Sequence, residues 1–254
     1  MKDLLRMIKS SFLPSLRINS RETLQEAAES FGILPFFPNN VRGLSVEEMC
    51  APGMLFGGNY AEGCWEWKGP VIRKGTSAYG RFFNRKAGFV SLDLLPDFLN
   101  FRRHAYPIKE GSTDEMLFEI IRENDSLTST ELKKLIFGEY ERTRWDELPE
   151  FIRKDSKEIL PSREKKGRKS LESPLQRLQM GGWIIISDFE YKKTKSGERY
   201  GWGVARYSTP EISFGDRLKD KNFEDPMESF EFLVNNMKER WPRGSKDAFR
   251  KLLK

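Results

Sequence analysis

The stretch Arg168–Tyr207, RKSLESPLQRLQMGGWIIISDFEYKKTKSGERYGWGVARY, decides the fold. Leu171, Leu175 and Leu178 recur at helical spacing. Ser173-Pro174 predicts a capped start, since proline suits the first helical position. Gly181-Gly182 ends the helix. Trp183–Tyr191 is rich in β-branched and aromatic residues and reads as a strand. Lys192–Glu198 is a turn with Gly197 at its tip, and Tyr200–Tyr207 is the returning strand. A short helix that runs at once into a hairpin with a basic tip predicts the end of a winged helix-turn-helix.

Working outward, Ser112-x-x-Glu115 is a capping box. It opens a helix over Thr113–Asn124 with Met116, Leu117, Ile120 and Ile121 on one face. Asp125-Ser126 turns the chain into a second helix, Thr128–Phe137, with Leu132, Leu135 and Ile136 inward and Gly138 as its end. Residues 113–207 thus predict helix, helix, helix, then a two-stranded wing. The connection Glu139–Lys169 is long; Trp145, Leu148, Phe151 and Ile152 predict that part of it packs.

In the first half, residues 1–13 read as an amphipathic helix. Ser20 caps a clearer one, Arg21–Phe31, with Leu24, Ala27, Ala28 and Phe31 inward and Gly32 at its end. Ile33–Asn40 is broken by two prolines and reads as a buried loop. Ser45 begins a short helix with Glu47 and Glu48 in its first turn, which suits the helix dipole. Ala51–Gly63 is irregular. Cys64–Ser91 reads as strands, first WEWKGPVIR, then AYGRFFNRKAGFVS after a turn. Trp65 and Trp67 alternate there with Glu66 and Lys68. Leu92–Arg103 reads as a helix begun or interrupted at Pro96. Pro226–Trp241 and Ser245–Leu253 are the last helices. The predicted class is α+β, built from winged helix-turn-helix units with β-hairpin wings. The predicted divisions are a winged-helix-like domain over 1–105, a clearer one over 106–212, and C-terminal helices over 213–254 that pack on the rest.

The chain has 254 residues, with 44 Lys and Arg against 38 Asp and Glu, a net charge of +6. That excess is compatible with a polyanionic partner and is modest. No apolar run approaches the ~20 residues of a membrane helix. No signal-peptide core is visible, so a cytoplasmic location without a membrane partner is expected. Cys50 and Cys64 make no CxxC pair, a disulfide between them is disfavoured in a reducing compartment, and His104 is the one histidine. No metal site is expected. No P-loop, dinucleotide fingerprint or GxSxG occurs, so no cofactor is expected. Glu66, Asp93 and Asp97 show no spacing of an acid/base pair, and no catalytic residue is assigned.

The nucleic-acid candidates are basic and amide side chains near the predicted third helix and wing. Arg163, Lys165, Lys166, Arg168 and Lys169 run into that helix. Gln176, Arg177 and Gln179 lie between its leucines and suit base edges or phosphates. Lys192, Lys193, Lys195 and Arg199 surround the wing tip. In the first half, Lys68, Arg73, Lys74, Arg81, Arg85 and Lys86 interleave with Trp65, Trp67, Tyr79, Phe82, Phe83 and Phe89. These aromatics read mostly as core, and the cations on the opposite faces are the candidates. The bland alternatives are solvated loops and a winged helix that serves only protein contacts.

At WEWKGPVIRKGTSAYGRFFNRKAGFVSLDLLPDFLNFRR (Trp65–Arg103) the chain resembles the bacterial AlkZ-related proteins. The likeness extends through LQRLQMGGWIIISDFEY and YGWGVARYSTPE. These proteins are similar to the AlkZ/YcaQ DNA glycosylases, built from winged-helix units, which excise alkylated bases and unhook interstrand crosslinks. The resemblance implies a winged-helix fold, DNA as partner and a place in DNA repair or the damage response. The glycosylases carry Gln-x-Gln in their N-terminal half and tend to carry His-x-Ala-Ser. The comparable stretches here read GILPFF (Gly32–Phe37) and Arg85-Lys86-Ala87-Gly88. DNA binding without base excision is therefore the expectation, with a divergent DNA glycosylase, a hydrolase, as the alternative.

Overall fold

The computed structural model describes residues 17–57, 62–140, 171–197, 199–218 and 225–254, with 137–140, 193, 199 and 200 described in backbone only. The helix predicted over 1–13 and the packed part of Glu139–Lys169 lie outside the described residues. The chain divides into two compact units, Met1–Phe101 with Asp216–Lys254, and Arg102–Gly215.

In the first unit, helix α1 spans Arg21–Phe31. The Ser20 hydroxyl accepts the Thr23 N–H at 3.2 Å, and the Thr23 hydroxyl accepts the Ser20 N–H at 3.0 Å. Leu24, Ala27, Ala28 and Phe31 are the buried face, as their spacing predicts. The predicted loop after α1 begins instead as a short strand, β1 (Ile33–Pro35), and helix α2 (Val46–Met49) follows. Pro35 is tolerated because β1 lies at the sheet edge.

The main departure is Cys64–Arg73, predicted as a strand and found as helix α3. Its buried residues include Cys64, Trp67, Lys68, Val71 and Ile72, the i, i+3, i+4, i+7, i+8 pattern of a helix. The Glu66 carboxylate accepts the Gly63 N–H at 3.0 Å at its start. Pro70 costs the helix one donor without ending it. The alternation of Trp65 to Lys68 was too short to discriminate. It also counted Lys68 as outward, whereas Lys68 is 2% exposed.

The stretch AYGRFFNRKAGFVS is extended as expected, but as two strands, β2 (Ser77–Phe83) and β3 (Lys86–Ser91), which form a hairpin. The φ angles of 46° at Asn84 and 67° at Arg85 match a two-residue type I′ turn. The sheet order is β1-β3-β2, antiparallel throughout. A side chain at Gly88 would come 2.7 Å from the Pro35 backbone, so β3 needs glycine there. Helix α4 covers Leu95–Ala105.

The second unit repeats the same order. Helix α5 (Thr113–Glu123), strand β4 (Leu127–Thr128) and helix α6 (Ser129–Tyr140) precede α7 (Glu172–Met180). Strands β5 (Ile185–Lys193) and β6 (Arg199–Ser208) form the wing. The sheet order is β4-β6-β5, again antiparallel. The Thr128 N–H donates to Glu131 at 2.8 Å and the Thr128 hydroxyl accepts from the Glu131 N–H at 3.2 Å, a reciprocal cap of α6. Several boundaries differ from the prediction, and β5 starts at Ile185 and takes in Lys192 and Lys193, two residues on from the expected Trp183–Tyr191. Gly138 lies within α6, and α7 is preceded by Leu171, so Ser173-Pro174 sits inside its first turn. Leu117, Ile121, Leu132, Ile136, Leu171, Leu175, Leu178 and Ile184 make the core.

Helix α8 (Pro210–Phe214) ends this unit. Helices α9 (Pro226–Arg240) and α10 (Lys246–Leu253) return to the first. There Ser229 donates to Asp97 at 3.0 Å and accepts from Asn100 at 3.1 Å. Trp241 meets Phe31 edge-on at 5.4 Å.

Leu178 is 1% exposed and Leu135 is 39% exposed. Leu178→Ala should destabilise the second unit by about 2–5 kcal/mol, and Leu135→Ala by less than about 0.5 kcal/mol. Denaturant titration followed by circular dichroism measures the contrast.

Candidate nucleic-acid interface

Helix α7 occupies the third-helix position of its unit. Arg102 anchors its end: the guanidinium is buried, and its Nε donates to the Met180 carbonyl at 2.6 Å. The group also lies 4.5 Å over the Tyr106 ring. Burial lowers its pKa to about 10, so it stays charged at neutral pH. After the helix, Trp183 donates to the Tyr106 carbonyl at 2.8 Å and packs edge-on against Phe118 at 5.6 Å.

The three polar candidates on α7 separate. Gln179 is 2% exposed and its amide donates to the Leu175 carbonyl at 3.1 Å. It belongs to the interior, which corrects its reading as a base contact. Arg177 grips Asp114 with two prongs, Nε at 2.8 Å and Nη2 at 2.7 Å. That fork ties α7 to α5. Gln176 is half-buried. The cluster Arg163, Lys165, Lys166, Arg168 and Lys169 lies outside the described residues.

The wing projects its cations. Lys192 and Lys195 are exposed. The side chains of Lys193 and Arg199 are outside the described set. Gly197 supplies φ 86° at the tip, where its N–H donates to the Thr194 carbonyl at 3.0 Å. At the wing's base Arg206 donates to Glu190 at 3.0 Å and to the Ser126 carbonyl at 2.8 Å.

The first unit has a different third helix. Most of α3 is buried, and its exposed cations are Arg73 and Lys74 at the end. Arg85 and Lys86 are exposed at the β2–β3 tip, with Lys86 donating to the Pro38 carbonyl at 2.9 Å. Arg81 is half-buried. Trp67, Tyr79, Phe82, Phe83 and Phe89 are core, at most 6% exposed. Trp65 is half-buried among Phe36, Phe37 and Phe56, with centroids at 5.6, 6.1 and 5.9 Å.

Beneath Trp65 lies Lys68. Its Nζ donates to the Trp65 carbonyl and sits 3.7 Å from the centre of that ring. Those contacts favour the charged amine, but burial outweighs them and lowers its pKa to about 7. The Cys50 and Cys64 thiols hydrogen-bond to each other, and burial raises the pKa of both. Among the described residues no group of three His, Cys, Asp or Glu side chains could hold a metal ion. No described helix is long and apolar enough to cross a membrane.

Sequence reading missed three exposed aromatics, Phe56 at 55%, Trp202 at 67% and Phe232 at 45%. The signal for Trp202 was its flanking glycines, which in a strand mark a bulge.

Among the described residues both units run helix, strand, helix, helix, hairpin, and each closes a three-stranded antiparallel sheet. That architecture defines an α+β protein built from winged helix-turn-helix units. The chain belongs to the AlkZ-related family, whose family model matches residues 18–254. Its fold is similar to that of the DNA glycosylase AlkZ of Streptomyces sahachiroi, with a TM-score of 0.50 and 12% identity. The match covers 97% of this chain and 62% of that enzyme, so the chain spans less than two thirds of its length. At such identity the likeness establishes the fold alone. No curated protein sequence matches the chain.

The buried lysine gives a pH prediction. Lys68 has its pKa lowered from 10.5 to about 7, so between these values the unfolded chain holds a proton that the folded chain lacks. Stability should therefore rise with pH across that window, by up to a few kcal/mol. The thiols, raised from 9.0, act in the opposite sense at higher pH, so the clean range is pH 7 to 9. Urea unfolding of the first unit should show the rise in the wild type and its loss in Lys68→Met.

Proposed function

We propose that this chain is a DNA-binding winged-helix protein acting in DNA repair or the response to damage. The observation that carries the reading is that each unit exposes cations at the tip of its own wing. These are Arg85 and Lys86 in the first unit, and Lys192 and Lys195 in the second. Wing tips in this fold reach the phosphates beside the groove that the third helix enters. Family membership and the fold of a DNA glycosylase support the same partner. Arg163, Lys165, Lys166, Arg168 and Lys169 extend the proposed phosphate surface, with Gln176 as the remaining amide on α7.

The test is fluorescence anisotropy with a duplex at several salt concentrations. The logarithm of the binding constant should fall with log salt at a slope of about −0.9 per phosphate contact. Lys192→Ala with Lys195→Ala, and separately Arg85→Ala with Lys86→Ala, should each flatten that slope by up to about 2 and weaken every sequence alike. Folded wild-type protein with no affinity at low salt would move the reading to a protein-interaction module.

The reading assigns no base excision. The stretch Gly32–Phe37 offers no amide side chain, and Ile33, Leu34 and Phe36 are fully buried. Incubation with methylated duplex should release no free 7-methylguanine above the uncatalysed background. Release that co-purifies with the protein and disappears on mutation would establish the divergent glycosylase instead.

A further inference from the structure

The outer wing of the second unit is built around one irregularity. Glu190 pairs with Val204, and the next pair is Lys192 with Tyr200. One residue of β5, Tyr191, therefore faces three of β6: Gly201, Trp202 and Gly203. A regular antiparallel ladder would place Trp202 opposite Lys192. The two extra residues form a bulge, and a bulge re-aims the side chain it carries. Gly201 supplies the backbone turn, and Gly203 leaves room for a ring. Gly201 has φ +74°, a region L side chains rarely adopt. A side chain at Gly203 would come 2.8 Å from the Tyr191 ring. The result is an indole 67% exposed on a ribbon. Strand β4 pairs with Tyr207 and Arg206, so among the described residues the ribbon is two-stranded at Trp202.

The chemistry beside this indole selects its occupant. Exposed Lys192 and Lys195 lie on the same ribbon. From Lys192 to Arg199 the chain carries four cations, Lys192, Lys193, Lys195 and Arg199, against Glu198 as the one acid. An exposed aromatic ring on a ribbon that also exposes Lys192 and Lys195 fits a nucleobase whose phosphates meet the lysines. In an intact duplex the bases are stacked on one another and their faces are closed to a side chain. At a gap, or in a single strand, a face is open.

We propose that the Gly201-Trp202-Gly203 bulge is a stacking platform for an unstacked nucleobase, so that the wing favours gapped or single-stranded sites in DNA over intact duplex. The assignment rests on the DNA-binding reading above and adds the class of DNA that the wing selects.

Fluorescence anisotropy with three labelled DNAs tests it: an intact duplex, the same duplex with a one-nucleotide gap, and its single strand. Trp202→Ala should weaken binding to the gapped duplex and the single strand by about tenfold, the scale of one lost base–aromatic stack. Intact-duplex affinity should change by less than about twofold, and Trp202→Phe should keep most of the preference. A 2-aminopurine placed opposite the gap should change its fluorescence on binding wild type and much less on binding Trp202→Ala. Circular dichroism should show the same fold in every variant. Equal weakening on all three DNAs, or no weakening on any, overturns the stacking role while leaving DNA binding intact. A sedimentation shift from dimer to monomer in Trp202→Ala assigns the indole to self-contact and overturns it too. Wild-type protein that binds none of the three DNAs removes the DNA-binding reading itself.

Discussion

Burial of the leucine stripe on α7 is the interaction on which the second unit depends. Leu171, Leu175 and Leu178 are each at most 4% exposed and share a core with Leu117, Ile121, Leu132 and Ile136. Each such side chain contributes about 1.5–3 kcal/mol by leaving water. The Arg177–Asp114 fork joins the same two helices, but Arg177 is 49% exposed, and a pair of that kind is worth about 0–1 kcal/mol. Apolar burial therefore holds α7 in place, and the fork sets its register against α5. Arg102 completes the arrangement by occupying the last carbonyl of the helix. The wing follows directly from that end, so its direction is set by the same core.

The two units use one topology with different exposure. In the second, α7 keeps Glu172, Ser173 and Arg177 at the surface. In the first, most of α3 is buried, and it even takes a lysine inside. The surface chemistry of the first unit has accordingly moved to the β2–β3 tip and the end of α3. The outer part of the second wing suits this role: its described side chains beyond Ile186 are exposed or half-buried, so few buried contacts restrain it, and adjustment to a partner costs little there.

Much of this was readable from local pattern. Ser20 and the spacing of Leu24, Ala27, Ala28 and Phe31 marked α1 to its ends. The leucines of α7, the paired glycines after it and the alternating strands marked the second wing. In these places the turn, the cap and the buried face all lie within a few residues of one another. Cys64–Arg73 failed for the opposite reason. Four alternating residues outweighed a helical period that needed Lys68 counted as buried, and Gly69-Pro70 looked like a break.

The sequence by itself determined the α+β class, the order of elements in the second unit, most helix caps and the basic character of its wing, because caps, turns and periodic burial are local. Tertiary structure decided which polar side chains face water. Gln179 and Lys68 lie inside, Arg177 is held by a residue 63 positions away, and Trp202 is thrust outward by a two-residue slip in the pairing of β5 and β6. Such outcomes turn on how helices and strands pack against one another, which residue spacing marks only in part, as the glycines on either side of Trp202 do.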